Sequence, residues 1–256
     1  MKILVANDDG IHAKGLHELV KELSKHFEVV VAAPNEQKSA ASSGFTYTKP
    51  IRAEKVILDE TPSIPAYSIH GTPADCVRLG LSTLFQDVDM VVTGINHGSN
   101  TGTDILYSGT IGSAMEACIM GIPAIAMSNY AAKPQDFSGC ATIATMAVNY
   151  LMNHPVQQGT ILSVNSPDGP FENIKGIRKG YVSTLKYNQR YEKVTSPYGH
   201  DFYYRHVTEY ENISSTPDAD DALVNDGYAV VTPLHYDMTN YECLKSIDTD
   251  IWNNFE

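Results

Sequence analysis

A chain of 256 residues with 43% hydrophobic residues can bury a large core, and its even composition excludes disordered, fibrous and solenoid architectures. Its formal charge of -12 repels polyanions, so nucleic acid and anionic membranes are excluded as partners unless a cationic patch or a bound metal reverses the local field. Cys76, Cys118, Cys140 and Cys243 lack CxxC or histidine-paired spacing and fall in apolar or helical surroundings; they read as reduced core thiols of a cytoplasmic protein, not as zinc ligands.

The opening MKILVA is a strand-length apolar run, too short for a signal-peptide core. No stretch approaches the roughly 18 apolar residues of a membrane span. Lys2 to Ala6 is closed by Asn7-Asp8-Asp9-Gly10, and Leu16, Leu19, Val20 and Leu23 then recur at helical spacing. EVVVAA at 28–33 is apolar on both faces, as a central parallel strand is. Residues 36–65 break the alternation and predict a long loop with a β-excursion, whose Phe45 and Tyr47 are candidates for one wall of a ligand site, with a neighbouring subunit's arm as the alternative. A strand at 66–70, a helix at 73–84 capped by Thr72, and a buried strand at 89–93 resume it.

A helix starting near Ser108 and ending before Gly121 follows, then a strand at 122–127, a helix at 138–152 and a strand at 160–165. Repeated βα units with buried strands predict an α/β fold, a Rossmann-like three-layer α/β/α sandwich on a parallel sheet, over residues 1–170. Residues 171–256 predict a tyrosine-crowded β-rich arm, a late core strand at 228–232 and a partly helical tail at 238–255. Such ribbons often serve interfaces, because a tyrosine ring is apolar while its hydroxyl stays wet.

Three constellations can carry chemistry. Asp8 and Asp9 lie at the carboxyl end of the first strand, where open α/β sheets bind ligands. Adjacent carboxylates raise each other's pKa unless a cation neutralises them, although a plain Asp-Gly turn has the same spelling. TGINHGSNTG at 93–102 offers glycines for close backbone approach, an N–H cradle near Gly98, and Asn96 as a neutral oxygen ligand; it is not the GxGxxG fingerprint. Ser108-Gly109-Thr110 opens a helix whose N–H groups and dipole favour an anion, with a simple N-cap as the competing reading. Carboxylates for a metal beside a Gly/Ser/Thr cradle are the equipment of phosphoryl transfer to water.

In order, NDDG at 7–10, AAP at 32–34, GTPADCVRLGL at 71–81, GINHGSNTG at 94–102, YSGTIGSAMEA at 107–117, then DADDAL and VVTPL, resemble the SurE survival-protein nucleotidases over most of the chain. The resemblance implies hydrolysis of nucleoside 5′-monophosphates, with 3′-monophosphates and short polyphosphate as further substrates. It implies one divalent ion per subunit, Mg²⁺, Mn²⁺ or similar, held by Asp8, Asp9, Ser39 and Asn96, with Asp8 and Asp9 catalytic. Phosphate would be met by Asn96, Gly98, Ser108, Gly109 and Thr110, and the C-terminal arm would build a homodimer or homotetramer, open to exchange between subunits.

Two departures stand out. The family's serine ligand is usually followed by glycine, whereas Ser39 precedes Ala40, so a left-handed backbone there would strain the alanine. Thr93 replaces the usual serine before GIN but keeps a hydroxyl. A haloacid-dehalogenase-type phosphatase would need an Asp two positions beyond the nucleophile, where Gly10 and Ile11 stand. A non-catalytic Mg²⁺-binding receiver-like module would need another Asp ending a middle strand, where His70 and Gly94 stand.

Overall fold

The computed structural model describes residues 1–131, 133, 135–212 and 216–249. The chain alternates β1 (Lys2–Ala6), α1 (Lys14–Leu23), β2 (Glu28–Pro34), β3 (Ala53–Val56), β4 (Ala66–Ile69) and α2 (Pro73–Leu79). It continues through β5 (Met90–His97), α3 (Gly109–Ile119), β6 (Ala124–Tyr130), α4 (Ser138–Asn153) and β7 (Thr160–Pro167). The last third holds β8 (Ile177–Lys179), β9 (Leu185–Thr195), β10 (Asp201–Asn212), α5 (Asp220–Asn225), β11 (Ala229–His235) and α6 (Tyr241–Ser246).

Among the described residues nine strands form one sheet in the order β3-β4-β2-β1-β5-β6-β7-β11-β8. Strand alternation divides its side chains between two helical layers. From β1, Ile3 and Val5 pack with Leu16, Leu19 and Leu23 of α1 and with Ile143 and Val148 of α4. Leu4 and Ala6 pack with Val77 of α2 and with Ile111 and Ala114 of α3. Leu16, Leu19, Val20 and Leu23 are fully buried; each contributes about 1.5–3 kcal/mol, which makes α1 a helix by packing without a side-chain N-cap. The three-layer α/β/α sandwich is the expected one.

The sheet is not wholly parallel. β3 runs antiparallel on β4 at one edge, and β11 runs antiparallel on β7 near the other. The second reversal is made directly after β7: β8 and β11 run parallel to each other and opposite to β7, with the β9–β10 ribbon and α5 as the connection between them. β8 joins β11 in the same sheet; the β9–β10 ribbon forms a separate two-stranded sheet.

α2 starts as expected: Thr72 and Asp75 form a reciprocal capping box with Pro73 in the first turn. A π-helical turn, Gly80–Leu84, prolongs it. In the tail, α6 provides the expected helical part, and 250–255 lie outside the described residues. Cys76 and Cys140 are core thiols, Cys118 is half-buried and Cys243 is exposed. Cys243 departs from expectation because α6 buries none of its residues. No helix among the described residues is long and apolar enough to cross a membrane.

Candidate active site

β1 pairs with β2 on one side and β5 on the other, all parallel, and β6 continues outward from β5. Chain order therefore reverses between β1 and β5, the switch point at which open sheets leave a crevice beyond their carboxyl ends. Asp8 and Asp9 follow β1, Ser39 follows β2 and Asn96 lies near the end of β5. A cavity of about 380 Å³ opens there, and Asp8, Ser39, Asn96 and Ser108 line it with Ala40, His97, Ser99, Asn100, Asp104, Tyr107 and Arg205.

The NDDG loop is shaped by its own first and last residues. Asn7, fully buried, donates from Nδ2 to the Gly10 carbonyl at 2.9 Å and accepts the Gly10 N–H at 3.2 Å. The Asp8 carbonyl accepts the Lys38 N–H at 2.7 Å, which brings the Ser39 segment alongside. That segment is also tied forward: Ser42 donates from its N–H to the Tyr107 carbonyl at 3.0 Å and from Oγ to the Leu106 carbonyl at 2.8 Å.

Asp8 is 4% exposed. Burial pushes its carboxyl from 3.8 up to about 6; the hydrogen bond from Thr110 opposes this and the neighbouring Asp9 charge adds to it. Thr110 Oγ1 donates to Asp8 Oδ1 at 2.6 Å. Asp9 accepts the His97 N–H on Oδ2 at 2.8 Å and Gln37 Nε2 on Oδ1 at 3.2 Å. The same Gln37 nitrogen reaches Ser39 Oγ at 3.0 Å, so one side chain bridges two of the expected metal ligands. Asn96 donates from Nδ2 to the Gly98 carbonyl at 2.9 Å, leaving its amide oxygen, the atom a hard cation takes, for another partner.

All four expected metal ligands thus lie in loops at the switch point and all offer oxygen; Asp8, Ser39 and Asn96 line the cavity, whereas Asp9 is not among its lining residues and is held beside it by Gln37 and the His97 N–H. Two carboxylates, a hydroxyl and an amide suit Mg²⁺ or Mn²⁺ better than zinc. Among the described residues no three of His, Cys, Asp and Glu converge on one point. A buried carboxylate beside a second one, held partly protonated by burial, is the electrostatic situation a divalent cation relieves.

The expected phosphate residues divide into two kinds. Ser108 lines the cavity and its Oγ accepts the Ile111 N–H at 3.1 Å, so it is also the N-cap of α3. The Thr110 hydroxyl is committed to Asp8, and the Gly98 N–H donates to the Asn129 carbonyl at 3.1 Å. Phe45 and Tyr47 do not line the cavity; Phe45 instead stacks under the Arg78 guanidinium at 4.9 Å.

The chain matches the family model "Survival protein SurE" over residues 3–192. The chain belongs to the SurE family. A protein of Heliobacterium modesticaldum called 5′-nucleotidase SurE is 36% identical over 248 residues, covering 96% of this chain and 90% of that protein. One of the same name from Desulforamulus reducens is 40% identical over 250 residues, covering 96% and 97%. The crystal structure of the SurE protein from Aquifex aeolicus superposes with a TM-score of 0.84 at 36% identity, covering 98% of this chain and all of that one.

The SurE motifs acquire physical reasons in this structure. A Cβ at Gly109 would lie 2.8 Å from Asp8 Cβ and 2.9 Å from Asp8 Oδ2, so glycine is what lets the α3 start close on the carboxylate. A Cβ at Gly94 would lie 2.2 Å from the Met127 carbonyl oxygen, where the β5–β6 register shifts. Ala40 adopts φ 60°, the left-handed backbone that the family's usual glycine would take without strain. The Thr93 hydroxyl donates to the Thr110 carbonyl at 2.8 Å, so the departure from serine preserves a tie between β5 and α3.

Several SurE site residues carried no sequence signal of their own. Gln37 is one. Asn100 is another: its N–H donates to Asn165 Oδ1 at 2.8 Å, its Nδ2 reaches Ser128 Oγ at 2.8 Å, and Asn165 returns a bond to its carbonyl at 3.0 Å. This pins the GINHGSNTG loop to β6 and β7. A polar residue at the carboxyl end of an apolar strand, as Asn165 is, was the available clue.

Proposed function

We propose that this chain is a divalent-metal-dependent 5′-nucleotidase that hydrolyses nucleoside monophosphates to nucleoside and phosphate. The observation that carries this is the convergence of Asp8, Asp9, Ser39 and Asn96 at the β1/β5 switch point beside the α3 N-terminus. The relatives named 5′-nucleotidase SurE, similar over nearly the whole chain, supply the substrate class.

Asp8, Asp9, Ser39 and Asn96 would hold the ion. When bound, it supplies Lewis-acid polarisation of a phosphoryl oxygen and lowers the pKa of water. The chain's own residues do the rest. Ser108, Gly109 and Thr110 present the positive end of α3 to the phosphoryl oxygens, where charge grows during transfer. Asp8 takes the proton of the attacking water as the new P–O bond forms and the P–O bond to the ester oxygen breaks; that proton then passes to the ester oxygen, which departs as the hydroxyl of the nucleoside and restores the Asp8 carboxylate. Asn96 and the Gly98 turn fix the cavity wall against which the phosphate seats.

The same reading extends to 3′-nucleotides and short polyphosphate, since these share the terminal phosphoryl group that such a site would bind. The exposed Tyr191, Tyr198, Phe202, Tyr203 and Tyr204 of the ribbon support its use as a contact between copies in a homodimer or homotetramer. Four free cysteines support work in the reducing cytosol.

Phosphate release from AMP and GMP tests the proposal, measured after EDTA treatment with and without added Mn²⁺ or Mg²⁺, with Asp9→Ala as control. Activity should return only with metal and only in the unmutated protein. Turnover that survives EDTA, or that Asp9→Ala retains, would refute the metal site. Full turnover by Asp8→Asn with metal bound would remove Asp8 as the base.

A further inference from the structure

The cavity lined by Asp8, Ser39 and Asn96 is not built by the sandwich alone. Arg205, on β10 of the ribbon, lines it together with Asp8, Ser39, Asn96 and Ser108, although it lies 88 to 98 positions beyond the last segment of the core motifs that does so, YSGTIGSAMEA at 107–117. The lining also carries the carboxylates of Asp8 and Asp104, and among the described residues Arg205 is its one Lys or Arg. On the same ribbon Lys193 pairs with Asp201 at 2.8 Å and His206 lies 2.8 Å from Glu192, whereas Arg190 forms no ion pair among the described residues. No ion pair of Arg205 is formed among the described residues. Strand alternation separates Arg205 from the face that carries His206, and the antiparallel register sets it opposite Tyr191.

We propose that Arg205 is a phosphate-recognition residue, through which the ribbon completes the substrate site of its own chain for a phosphomonoester dianion. This rests on the nucleotidase reading and names the group that receives the substrate's charge. A chain of charge -12 must offer a dianion a local counter-charge. Guanidinium is suited to the task because its planar fork meets two phosphoryl oxygens at once and stays charged at any working pH. A bound metal would offset Asp8 and Asp9, whereas the outward phosphoryl oxygens have no other fixed cation among the described residues of the lining. What sets Arg205 apart from Arg190, the other arginine of the ribbon, is its place in the cavity lining.

The test compares the full-length protein with Arg205→Ala and Arg205→Lys, each with Mg²⁺ or Mn²⁺ present. Two quantities are read: KM and kcat for AMP, and the binding of inorganic phosphate by calorimetry. Loss of a charge-assisted contact predicts a rise on the order of ten- to hundredfold in KM for AMP. A matching rise in the dissociation constant of inorganic phosphate is expected, with Arg205→Lys in between and unfolding temperatures unchanged. Phosphate binding equal to wild type in Arg205→Ala would overturn the proposal, whatever happens to turnover. The two readings fail separately: a wild-type protein that binds phosphate through Arg205 but leaves AMP intact would refute the nucleotidase reading alone.

Discussion

The Thr110 hydroxyl, in the first turn of α3, donates a 2.6 Å hydrogen bond to Asp8 Oδ1, 102 positions earlier in the chain. The bond does two things at once. It orients a buried carboxylate, and it offsets part of the burial that drives that carboxyl up to about 6. Thr110→Val keeps the shape and removes the donor. A hydrogen bond to a charged group is worth about 1.5–3 kcal/mol, so kcat/KM for AMP should fall on the order of ten- to hundredfold. Thr110→Ser should recover most of the loss. Wild-type rates in Thr110→Val would show that β1 geometry alone holds Asp8.

Asp8 also makes the metal-free protein pH-sensitive. Its folded pKa of about 6 lies above the ordinary 3.8, so between these values the folded chain keeps a proton that the unfolded chain has released. Stability from this group is therefore greatest below about pH 4, falls as pH rises, and reaches its full deficit above about 6. The interval corresponds to about 3 kcal/mol as an upper bound. In EDTA at pH 7.5, Asp8→Asn should unfold at a higher temperature than wild type, and the difference should shrink toward pH 4. An Asp8→Asn protein less stable than wild type at both pH values would contradict the burial cost.

Ala40 is strained next to the expected ligand Ser39. Its φ of 60° costs a side-chain-bearing residue roughly 1–2 kcal/mol, while glycine adds about 0.4–1 kcal/mol of unfolded-state entropy. Ala40→Gly should therefore be neutral to stabilising by up to about 1 kcal/mol, with nucleotidase activity kept. Chemical denaturation measures the first and AMP turnover the second. Destabilisation by more than 1 kcal/mol would mean that the methyl group makes a contact worth more than the strain.

Asp220 links the arm to the site loop. Fully buried, it accepts the Gly102 N–H on Oδ2 at 3.0 Å, and the Ser183 and Asp221 N–H groups on Oδ1 at 3.0 and 2.8 Å. Asp220→Ala would strand three buried donors. Each costs about 1–3 kcal/mol unless water reaches it, so a loss of several kcal/mol is expected. A milder Asp220→Asn keeps two acceptor lone pairs and should raise KM for AMP more than it lowers the unfolding temperature, because the Gly102 end of the cavity loop loosens first. Unchanged hydrogen exchange at Gly102 in Asp220→Asn would argue against that coupling.

The amino-acid sequence by itself determined the α/β alternation, the helix starts at Thr72 and Ser108, and the presence of polar, glycine-rich loops at 7–10 and 94–102 directly after buried strands. These are local matters: apolar runs bounded by Gly, Pro, Asp and Asn specify strand and turn over a few neighbouring residues. The SurE resemblance, carried by short ordered motifs, likewise needed no coordinates to name Asp8, Asp9, Ser39 and Asn96.

Only the tertiary structure decided what those residues touch. Gln37 bridges Asp9 and Ser39, Thr110 belongs to Asp8, and the Gly98 N–H belongs to Asn129. The antiparallel entry of β11 and the arrival of Arg205 from the ribbon were equally invisible. The physical reason is the same in each case. Hydrogen bonds and charge complementarity act over a few ångströms in space, and the sandwich brings together residues separated by 28, 88 and 102 positions, a separation at which no local periodicity or propensity carries a signal.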